Sequence, residues 1–378
     1  MRARHASSVS VTGSGIGDIT LTVAGRTDTL LTDPVRGVRM HVLDGSSGGG
    51  QLVRTALTCA AVSGESFRMR YVRRARSNPG LQAQHCAAVN AVADICDAAT
   101  DGVEVGSEAF SFEPEVAAEE ADDDEEPTLG GTTSVEVGTA GSIPLVFDSL
   151  LPLAGALDEP ITATLTGGTD AKWAPPMDYF QHVKLPLLRE HGIDATVSVD
   201  RRGFYPRGGG EATLTVEPST PTPITLTERG DREALTAYSV AESSLADDEV
   251  AEQQATAAAP DAAHEIAYTD ADSAGSAVVL AAEYEHSRAG FAALGERGVS
   301  ADAVGENAAD ALAAFESGPG AVDSHLADQL VPVVAVAGGE VRAPEVTTHI
   351  ETCVDLLAEF DYDIDIEHTD DGAVVLSA

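Results

Sequence analysis

Two neighbouring stretches of this sequence contain residues suited to holding an anion: a glycine-rich loop and a cluster of arginines. Residues 44–50 (DGSSGGG) cannot form a regular helix or strand, because consecutive glycines lose too much backbone entropy. From Gln51 apolar residues recur at helical spacing until Gly64 supplies a stop. A loop that leads into a helix N-terminus favours a negatively charged ligand. The loop alone is a weak signal, because it lacks the Lys-Ser/Thr ending of a phosphate-binding P-loop.

The arginine cluster strengthens the prediction. It consists of Arg68, Arg70, Arg73, Arg74 and Arg76. The planar guanidinium group suits phosphate oxygens, so a phosphate-rich ligand is the natural hypothesis. The alternative is that these arginines offset carboxylates on an acidic surface, and the charge pattern alone leaves both interpretations open.

A longer ordered series of residues in this region resembles the signature of the RNA 3′-terminal phosphate cyclases. The matching residues are Asp44-Gly45, Gly48-Gly49-Gly50-Gln51, Arg54, Arg73, Arg76, Pro79-Gly80-Leu81 and Gln84-His85. The resemblance extends over roughly residues 40–378. It implies an enzyme that uses ATP and a divalent metal ion, Mg²⁺ or Mn²⁺, on an RNA with a 3′-phosphate end.

The resemblance identifies His349 as the nucleophile. Residues 346–360 (VTTHIETCVDLLAEF) are similar to the family's C-terminal motif, whose histidine takes AMP from ATP. Attack on phosphorus needs a neutral imidazole, and histidine is substantially neutral near pH 7. Pro344, Thr347 and Thr348 place His349 near a helix start, where the positive dipole favours the neutral ring and attracts phosphate. Without the resemblance, it would be interpreted as an ordinary helix-start histidine.

Matching motifs imply the other site residues. Residues 325–339 resemble the nucleotide-contacting motif, and residues 167–179 resemble another shared block. They assign to the ATP site His325, Asp328, Gln329, Pro175 and Pro176. The positions that match those serving the RNA 3′-phosphate and the active site are Arg54, Arg73, Arg76 and Gln84. His85, and Arg207 on the second glycine turn at 203–211, stay open between structural and functional roles.

One departure from the family pattern concerns the metal ion. Known cyclases usually have a Gly-Glu pair before the glycine triplet, and its glutamate helps to hold the metal. Here Ser47 leads directly into Gly48, so the loop is two residues shorter. Either Asp44 or another carboxylate replaces this glutamate, or metal binding is altered. In addition, Asp148 stands where the family has a glutamine.

The charge balance of the chain is extreme. The formal net charge is −40, and Lys172 and Lys184 are the only lysines. Dense carboxylates with few lysines predict a halophilic protein that is kept soluble at very high salt. Such a charge repels nucleic acid, so an RNA site must be locally basic. Intrinsic disorder is disfavoured for most of the chain by the hydrophobic content of 43% and the helical periodicity.

The cysteines and the apolar runs predict a cytoplasmic protein. Cys59, Cys86, Cys96 and Cys353 form no CxxC pair and lie in apolar helical contexts, which favours buried reduced thiols over disulfides or a zinc site. No apolar run approaches the ~18 residues that a membrane-spanning helix needs. We find no signal-peptide pattern and expect no membrane partner.

A pattern of two helices recurs three times in the sequence. The first helices are predicted at 51–64, 144–157 and 325–339, and the second at about 79–97, 175–192 and 344–360. Short β-rich segments lie between them. This pattern predicts an α/β (α+β) fold of three repeated βαβαββ-type units, with the helices packed on one side of the sheets, plus a small inserted α/β domain.

The predicted division of the chain follows from this repeat. Residues 39–218 and 276–378 form the core, and residues 219–275 form the insert. Residues 114–130 are predicted to be a solvated acidic loop. Residues 1–38 are predicted to be a disordered extension, or the result of a start codon assigned too early.

The sequence therefore predicts an ATP-dependent RNA 3′-terminal phosphate cyclase. It would form a 2′,3′-cyclic phosphodiester through enzyme-histidine-AMP and RNA-(3′)pp(5′)A intermediates. A second interpretation is a non-catalytic RNA-binding relative acting in ribosome assembly, which the absent glutamate favours and His349 disfavours. A third is an enolpyruvyl transferase on a similar scaffold, which the scarcity of lysines disfavours. The oligomeric state is left open.

Overall fold

The computed structural model describes residues 10–14, 18–23, 26–32, 39–115, 128–138 and 140–378. Over these residues the chain is a mixed α/β protein with four sheets. Among them, no helix has both the length and the apolar character needed to cross a membrane.

The first sheet contains seven strands in the order β1-β2-β3-β4-β5-β7-β6. They are β1 (Ser10–Ser14), β2 (Asp18–Val23), β3 (Arg26–Thr32), β4 (Arg39–Asp44), β5 (Ser66–Arg70), β6 (Ala99–Asp101) and β7 (Ala109–Glu113). Helix α1 (Gly50–Ser63) connects the parallel strands β4 and β5, and α2 (Ala83–Ile95) follows β5. In β5 the apolar Phe67 and Met69 are buried, whereas Arg68 and Arg70 are exposed on the other face.

Strands β1 to β3 fall within residues 1–38, which were predicted to be a disordered extension. The described parts of this stretch are antiparallel strands instead, and β3 pairs with β4. Alternating Thr, Leu and Val residues in β2 and β3 suit a strand. The rest of residues 1–38 lies outside the described residues, as do residues 116–127 of the predicted acidic loop.

The second sheet has the order β10-β11-β9-β8. Its strands are β8 (Gly131–Glu136), β9 (Ile161–Gly167), β10 (Ala195–Arg201) and β11 (Gly210–Val216). Helix α3 (Ile143–Phe147) and a 3₁₀ turn (Leu151–Gly155) connect β8 and β9. The second helical segment runs from α4 (Met177–Tyr179) through a π turn (Phe180–Lys184) into α5 (Leu185–Glu190). Pro186 accounts for the π turn, because it has no N–H to donate one turn back.

After β12 (Ile224–Leu226) the chain forms a separate sheet in the order β14-β13-β15-β16. Its strands are β13 (Arg232–Glu242), β14 (Ala263–Thr269), β15 (Ser276–Tyr284) and β16 (Arg288–Leu294). Helices α6 (Val250–Ala258) and α7 (Ala301–Ser317) pack against it. We call residues 232–317 the insert.

The third sheet of the core is completed after the insert, in the order β12-β17-β19-β18. Its later elements are α8 (Ser324–Ala337), β17 (Gly339–Ala343), α9 (Thr348–Leu357), a 3₁₀ turn (Ala358–Phe360), β18 (Asp365–His368) and β19 (Val374–Ser377).

Three of the sheets share one arrangement. In the four strands β4 to β7, in β8 to β11, and in β12 with β17 to β19, the first strand is parallel to the second, the second is antiparallel to the fourth, and the third is antiparallel to the fourth. In β9 buried residues alternate with half-buried ones, so one face of that sheet is packed. The described residues therefore contain three βαβαββ arrangements and one separate sheet.

The predicted boundaries of the insert were wrong at both ends. Residues 219–275 were assigned to it, but β12 pairs with β17 of the third sheet. Strands β15 and β16 and helix α7, which lie beyond residue 275, belong to the insert. The reason is physical: β15 is nearly all buried at the centre of its sheet and shows no alternation that would have marked a strand of the insert.

The insert has a hydrophobic core of its own. Ala237, Leu280, Phe291 and Leu312 are buried in it, separately from the continuous core that spans the other three sheets. The two parts meet where Val279 and Ala281 of β15 are buried in the core of the other sheets and where the His182 ring stacks on the Tyr238 ring at a centroid distance of 3.7 Å. The insert is therefore held by apolar packing as well as by individual polar contacts.

Asp323 is the most connected of these contacts. Its buried carboxylate accepts the Tyr179 hydroxyl at 2.9 Å and the N–H groups of His325 and Leu326 at 3.0 Å, which caps α8. It also accepts the N–H of Gly290, on β16 of the insert, at 2.9 Å. One side chain thus joins the second helical segment, α8 and the insert.

We predict that Asp323→Ala lowers the free energy of unfolding by about 3 kcal/mol, because a buried hydroxyl and several N–H groups lose their acceptor. Tyr179→Phe, which leaves the carboxylate with its N–H donors, is expected to cost about 1 kcal/mol. Urea titration followed by circular dichroism measures both. Asp302→Ala, in the exposed first turn of α7, is the control and is expected to cost under about 1 kcal/mol. Equal losses for Asp323→Ala and Asp302→Ala would contradict the assignment.

Candidate active site

A cleft of about 840 Å³ lies where the three sheet units of the core meet. Nine of the residues predicted for the site line it: Arg54, Arg73, Arg76, Gln84, Pro175, His325, Asp328, Gln329 and His349. Pro176 and Asp44 do not line it. Residues about 300 positions apart in the sequence therefore share one cavity, as Gln51 and Cys353 illustrate, and Gln51 Nε2 also donates to Thr352 Oγ1 at 3.2 Å.

Four helices of the core begin at this cleft. Gly50, Gln84, His325 and His349 lie in the first turns of α1, α2, α8 and α9 and line the cavity. The first turn of a helix presents unpaired N–H groups and the positive end of the helix dipole. The cleft is therefore suited to phosphate even though the chain as a whole is strongly acidic.

The glycine loop brings backbone close to the cleft wall. A Cβ atom on Gly50 would lie 2.3 Å from Nε2 of His85, and one on Gly49 would lie 2.6 Å from Oε1 of Gln51. A side chain at position 50 would collide with the buried His85 ring, so glycine is required there, whereas the flexible Gln51 side chain beside Gly49 can move aside. Gly49 caps α1 without any side-chain hydrogen bond. The start of α1 thus remains open to a ligand.

In the described part of the chain the cleft arginines are not held in ion pairs, although the charge of Asp148 opposes the effect of burial on the pKa of Arg54. Among the described residues, no carboxylate forms an ion pair with Arg54, Arg73 or Arg76. Arg73 donates to the carbonyl oxygens of Asn78 at 2.8 Å and Gly80 at 3.0 Å. Burial lowers the pKa of Arg54, and burial and then the charge of Arg76 lower the pKa of Arg73. This arrangement favours the phosphate-binding interpretation over charge balance on an acidic surface.

His349 is held by a short chain of hydrogen bonds. It is the second residue of α9, its side chain is 49% exposed, and Nδ1 lies 3.1 Å from Oδ2 of Asp328. The other oxygen of Asp328 accepts the hydroxyl of Thr347, which also caps α9 by accepting the N–H of Ile350 at 3.1 Å. A carboxylate can only accept here, so in a neutral imidazole Nδ1 carries the hydrogen and Nε2 keeps its lone pair. Nε2 is therefore available as a nucleophile.

His85 has both a structural and an electrostatic role. Its Nδ1 accepts the N–H of Gln82 at 2.9 Å at the start of α2, and its Nε2 faces Gly50. Burial lowers the pKa of His85 to about 3, with Arg54 and Arg73 contributing. The ring is therefore neutral, and its Nε2–H points toward the glycine loop.

Gln84, beside His85, links two units of the core. Its side-chain oxygen accepts the N–H of Ser142 at 3.3 Å, and Ser142 in turn caps α3 by accepting the N–H of Leu145. Gln84 lines the cleft as well. Its position thus combines a structural bond with access to a ligand.

Lys184 was missed by the sequence reasoning. Its ammonium group is 1% exposed and donates to the Asp148 carboxylate at 2.6 Å. Burial lowers the pKa of Lys184, and the charge of Asp148 opposes this shift. Asp148 lines the cleft, so the pair forms part of its wall. The sequence did contain a signal for it: Lys184 is one of only two lysines in the chain and lies within an apolar helical segment.

Asp44 and Pro176 lie elsewhere. Asp44 is exposed at the end of β4, and its carboxylate accepts the N–H of Ser46 at 2.8 Å, which closes the turn into the glycine loop. Pro176 is buried at the start of α4, where its carbonyl oxygen accepts the N–H of Tyr179 at 3.0 Å. Both positions indicate structural roles.

The described residues do not build a metal centre by themselves. Nowhere among them do three or more His, Cys, Asp or Glu side chains come together in a way that could hold a metal ion. Mg²⁺ is commonly bound by one or two carboxylates together with substrate phosphates. The carboxylates that line this cleft, Asp148 and Asp328, fit only a metal ion that substrate phosphates bind as well.

The cleft defines the class of the protein: a mixed α/β protein with a cleft suited to phosphate groups beside an accessible histidine. A sequence profile described as RNA 3′-terminal phosphate cyclase matches residues 46–366. A Nitrosospira multiformis protein named RNA 3′-terminal phosphate cyclase is 38% identical over 339 residues, 85% of this chain and 91% of that protein.

Relatives of the same name come from two archaea. The protein of Archaeoglobus fulgidus is 39% identical and covers 82% of this chain and 92% of its own length. That of Methanococcoides burtonii is 35% identical and covers 84% of this chain and 93% of its own length. The chain belongs to the RNA 3′-terminal phosphate cyclase family.

The buried neutral His85 gives a prediction for pH dependence. Its pKa is depressed in the folded state, so it contributes stability that is present above pH 6.5 and lost as the pH falls toward 3. Between pH 7 and pH 5 this loss amounts to about 2 kcal/mol. From pH 7 to pH 5 we expect the unfolding free energy of His85→Gln to fall by about 2 kcal/mol less than that of wild type. Urea titrations at the two pH values measure this difference.

The pH comparison has a matched control. His286→Gln removes a half-exposed histidine of the insert and controls for the loss of an imidazole as such. Parallel pH profiles for wild type and His85→Gln would show that His85 is protonated as easily in the folded chain as in the unfolded one.

Proposed function

We propose that this chain is an ATP-dependent RNA 3′-terminal phosphate cyclase with His349 as its nucleophile. The observation that carries the proposal is the orientation of His349. Asp328 holds Nδ1, which leaves Nε2 accessible in a cleft whose arginines lack carboxylate partners among the described residues. Membership of the cyclase family supports the same reaction.

In the first step, the lone pair on Nε2 of His349 attacks the α-phosphorus of ATP. The new P–N bond forms as the bond to the bridging oxygen breaks, and pyrophosphate leaves. The imidazole gains positive charge as it becomes an AMP adduct, and the Asp328 carboxylate, 3.1 Å from Nδ1, stabilises that charge. The positive dipole ends of α8 and α9 favour the anionic phosphates on the other side.

In the later steps, a 3′-phosphate oxygen of the RNA attacks the same phosphorus and displaces the imidazole. The product is RNA-(3′)pp(5′)A. The vicinal 2′-hydroxyl then loses its proton and attacks the 3′-phosphorus, AMP leaves, and the RNA ends in a 2′,3′-cyclic phosphodiester. Arg73 and Arg76 are the residues we assign to the RNA 3′-phosphate, because their charges lie close together.

The assignments within the cleft follow the two substrates. His325, Asp328, Gln329 and Pro175 are assigned to ATP, because they lie on the side of the cleft formed by α8, α9 and the start of α4. Arg54 and Gln84, on α1 and α2, are assigned with the two turn arginines to the RNA end. Pro176 no longer belongs to the ATP site, because it is buried outside the lining.

A divalent ion, Mg²⁺ or Mn²⁺, would enter with the phosphates of ATP, and Asp148 or Asp328 would be its protein ligand. Such an ion supplies charge neutralisation as pyrophosphate departs.

The fold corresponds to three βαβαββ repeats of a core at residues 39–226 and 318–378, with an inserted domain at 232–317. A cytoplasmic, halophilic enzyme is consistent with the reduced cysteines and the net charge of −40.

We predict that His349→Ala forms no covalent AMP adduct, because it lacks the attacking nitrogen. Asp328→Asn is expected to form the adduct at least about 10-fold more slowly, because the charge on the imidazole loses its counter-ion. The measurement is protein-bound label after incubation with α-labelled ATP and Mg²⁺ or Mn²⁺ in molar salt. The label should be acid-labile and base-stable, as a phosphoramidate is.

The control for this experiment is His368→Ala, an exposed histidine on β18 outside the cleft. It should form the adduct at the wild-type rate. An adduct that persists in His349→Ala would refute the assigned nucleophile. Wild-type protein that binds RNA but forms no adduct under any salt or metal condition would favour the non-catalytic RNA-binding function.

We also predict that Arg76→Ala lowers the rate of RNA cyclisation at low RNA concentration by about 10- to 100-fold, because a charge-assisted hydrogen bond to phosphate is lost. Formation of the AMP adduct should change less than about threefold. Arg74→Ala is the matched control, since Arg74 lies on the same turn but over the Tyr71 ring and outside the cleft. Equal losses for the two variants would indicate general attraction of RNA rather than a phosphate contact.

A further inference from the structure

Trp173 is the most exposed large hydrophobic side chain among the described residues. It is the only tryptophan in the chain, and 92% of it is exposed. It lines the mouth of the cleft on the loop between β9 and α4. Its φ angle of 62° lies in the left-handed region, which non-glycine residues rarely adopt. An indole presented to solvent by unfavourable backbone geometry indicates a ligand that covers it.

The loop that carries Trp173 is anchored at both ends. On one side, the N–H groups of Thr169 and Asp170 donate to the carbonyl oxygen of Gly203 at 2.9 and 3.2 Å. On the other, the N–H of Met177 donates to the carbonyl oxygen of Thr169 at 2.9 Å. Pro175 and Pro176 restrict the backbone between these bonds. The indole is therefore presented by a fixed loop, which lowers the entropy lost on binding.

Two neighbours of Trp173 add a second aromatic ring and a cation to the rim of the cleft. Tyr205 is 45% exposed and also lines the cleft. Lys172 lies over the Tyr205 ring at 5.3 Å and pairs with Glu296 of the insert at 2.9 Å. The rim thus combines two aromatic faces with a cation. Aromatic faces and cations together are the usual means of holding single-stranded nucleic acid.

We propose that Trp173 stacks on a nucleobase of the RNA substrate, at a nucleotide upstream of the reacting 3′ end. This inference rests on the proposed function. ATP reacts at His349 inside the cleft, whereas an RNA chain must continue out through its mouth. A side chain that is 92% exposed at that mouth is therefore placed for the longer substrate. The ligand class is single-stranded RNA, recognised through the face of a base and not through its sequence.

Charge gives this contact additional importance. The net charge of −40 opposes RNA binding, and high salt weakens the attraction of the cleft arginines. Stacking brings two uncharged ring faces together, so it does not depend on net charge. It is open to any nucleotide, because every base has an aromatic face. Trp173 would therefore supply affinity that persists at salt concentrations where phosphate contacts are screened.

The experiment uses the full chain and a short single-stranded RNA with a 3′-phosphate. For Trp173→Ala the KM for RNA is expected to rise about 10-fold or more, with kcat at saturating RNA changed less than about twofold. Trp173→Phe should recover most of the affinity. AMP-adduct formation from ATP alone should match wild type in both variants. The rise in KM should be similar at low and at molar KCl.

The single tryptophan provides a second readout. In wild type, binding of the RNA should quench the indole fluorescence, and ATP alone should not. Tyr71→Ala is the matched control, because Tyr71 is also an exposed aromatic residue with positive φ but lies outside the cleft. Its KM for RNA should equal that of wild type.

The outcomes separate this inference from the proposed function. Wild-type cyclisation with an unchanged KM in Trp173→Ala would overturn the stacking contact alone. Quenching by ATP, with a changed KM for ATP, would move Trp173 to the nucleotide site and also overturn it. A KM effect that disappears at high salt would identify an electrostatic contact instead of stacking. Failure of wild type to cyclise RNA would count against the proposed function, whereas RNA-induced quenching would still test the contact.

Discussion

The site depends on the meeting of four helix N-termini in one cleft. α1, α2, α8 and α9 each begin there with the positive end of the helix dipole, and the first turn of α1 has no side-chain cap. The arrangement arises because the helices follow parallel strands in units of the same strand order. In a chain with net charge −40, this local field and the unpaired arginines allow anions to bind where the overall charge would repel them.

The positive dipole ends of these helices also disfavour a positive charge on the nucleophile. A histidine near two helix N-termini gains positive charge when it attacks phosphorus, which the dipoles disfavour. Asp328 provides the compensating negative charge, and its second oxygen accepts the hydroxyl of Thr347, the residue that caps α9. The orientation of His349 is thus tied to the start of the helix that carries it. Displacing either Asp328 or Thr347 would disturb both the cap and the ring.

The insert does not line the cleft, but it contacts residues at the rim of the cleft. It is attached to the core by Asp323, by the stack of His182 on Tyr238, and by the pair of Lys172 with Glu296. In addition, Arg201 pairs with Asp272 near the second glycine turn. These contacts fix the rim residues Lys172 and Tyr205 relative to the catalytic side. The position of the rim therefore depends on a domain that has a hydrophobic core of its own.

The sequence by itself determined the local features. Glycines at 48–50, helical periodicity after Gln51 and the capping residue Thr347 specify a loop and two helix starts, because these features depend on neighbouring residues alone. Its motifs also identified nine residues that share the cleft. The extent of the insert was not determined, because a buried central strand such as β15 shows no alternation.

Only the tertiary structure decided which side chains meet. The pairing of Lys184 with Asp148, the neutral state of His85 and the bond from Asp328 to His349 each join residues from different elements. Their energies depend on burial and on distances of a few ångströms, and sequence spacing contains neither. For the same reason only the structure showed that Asp44, one candidate to replace the absent glutamate, closes a turn, and that Pro176, which motif matching assigned to the ATP site, is buried outside the lining of the cleft.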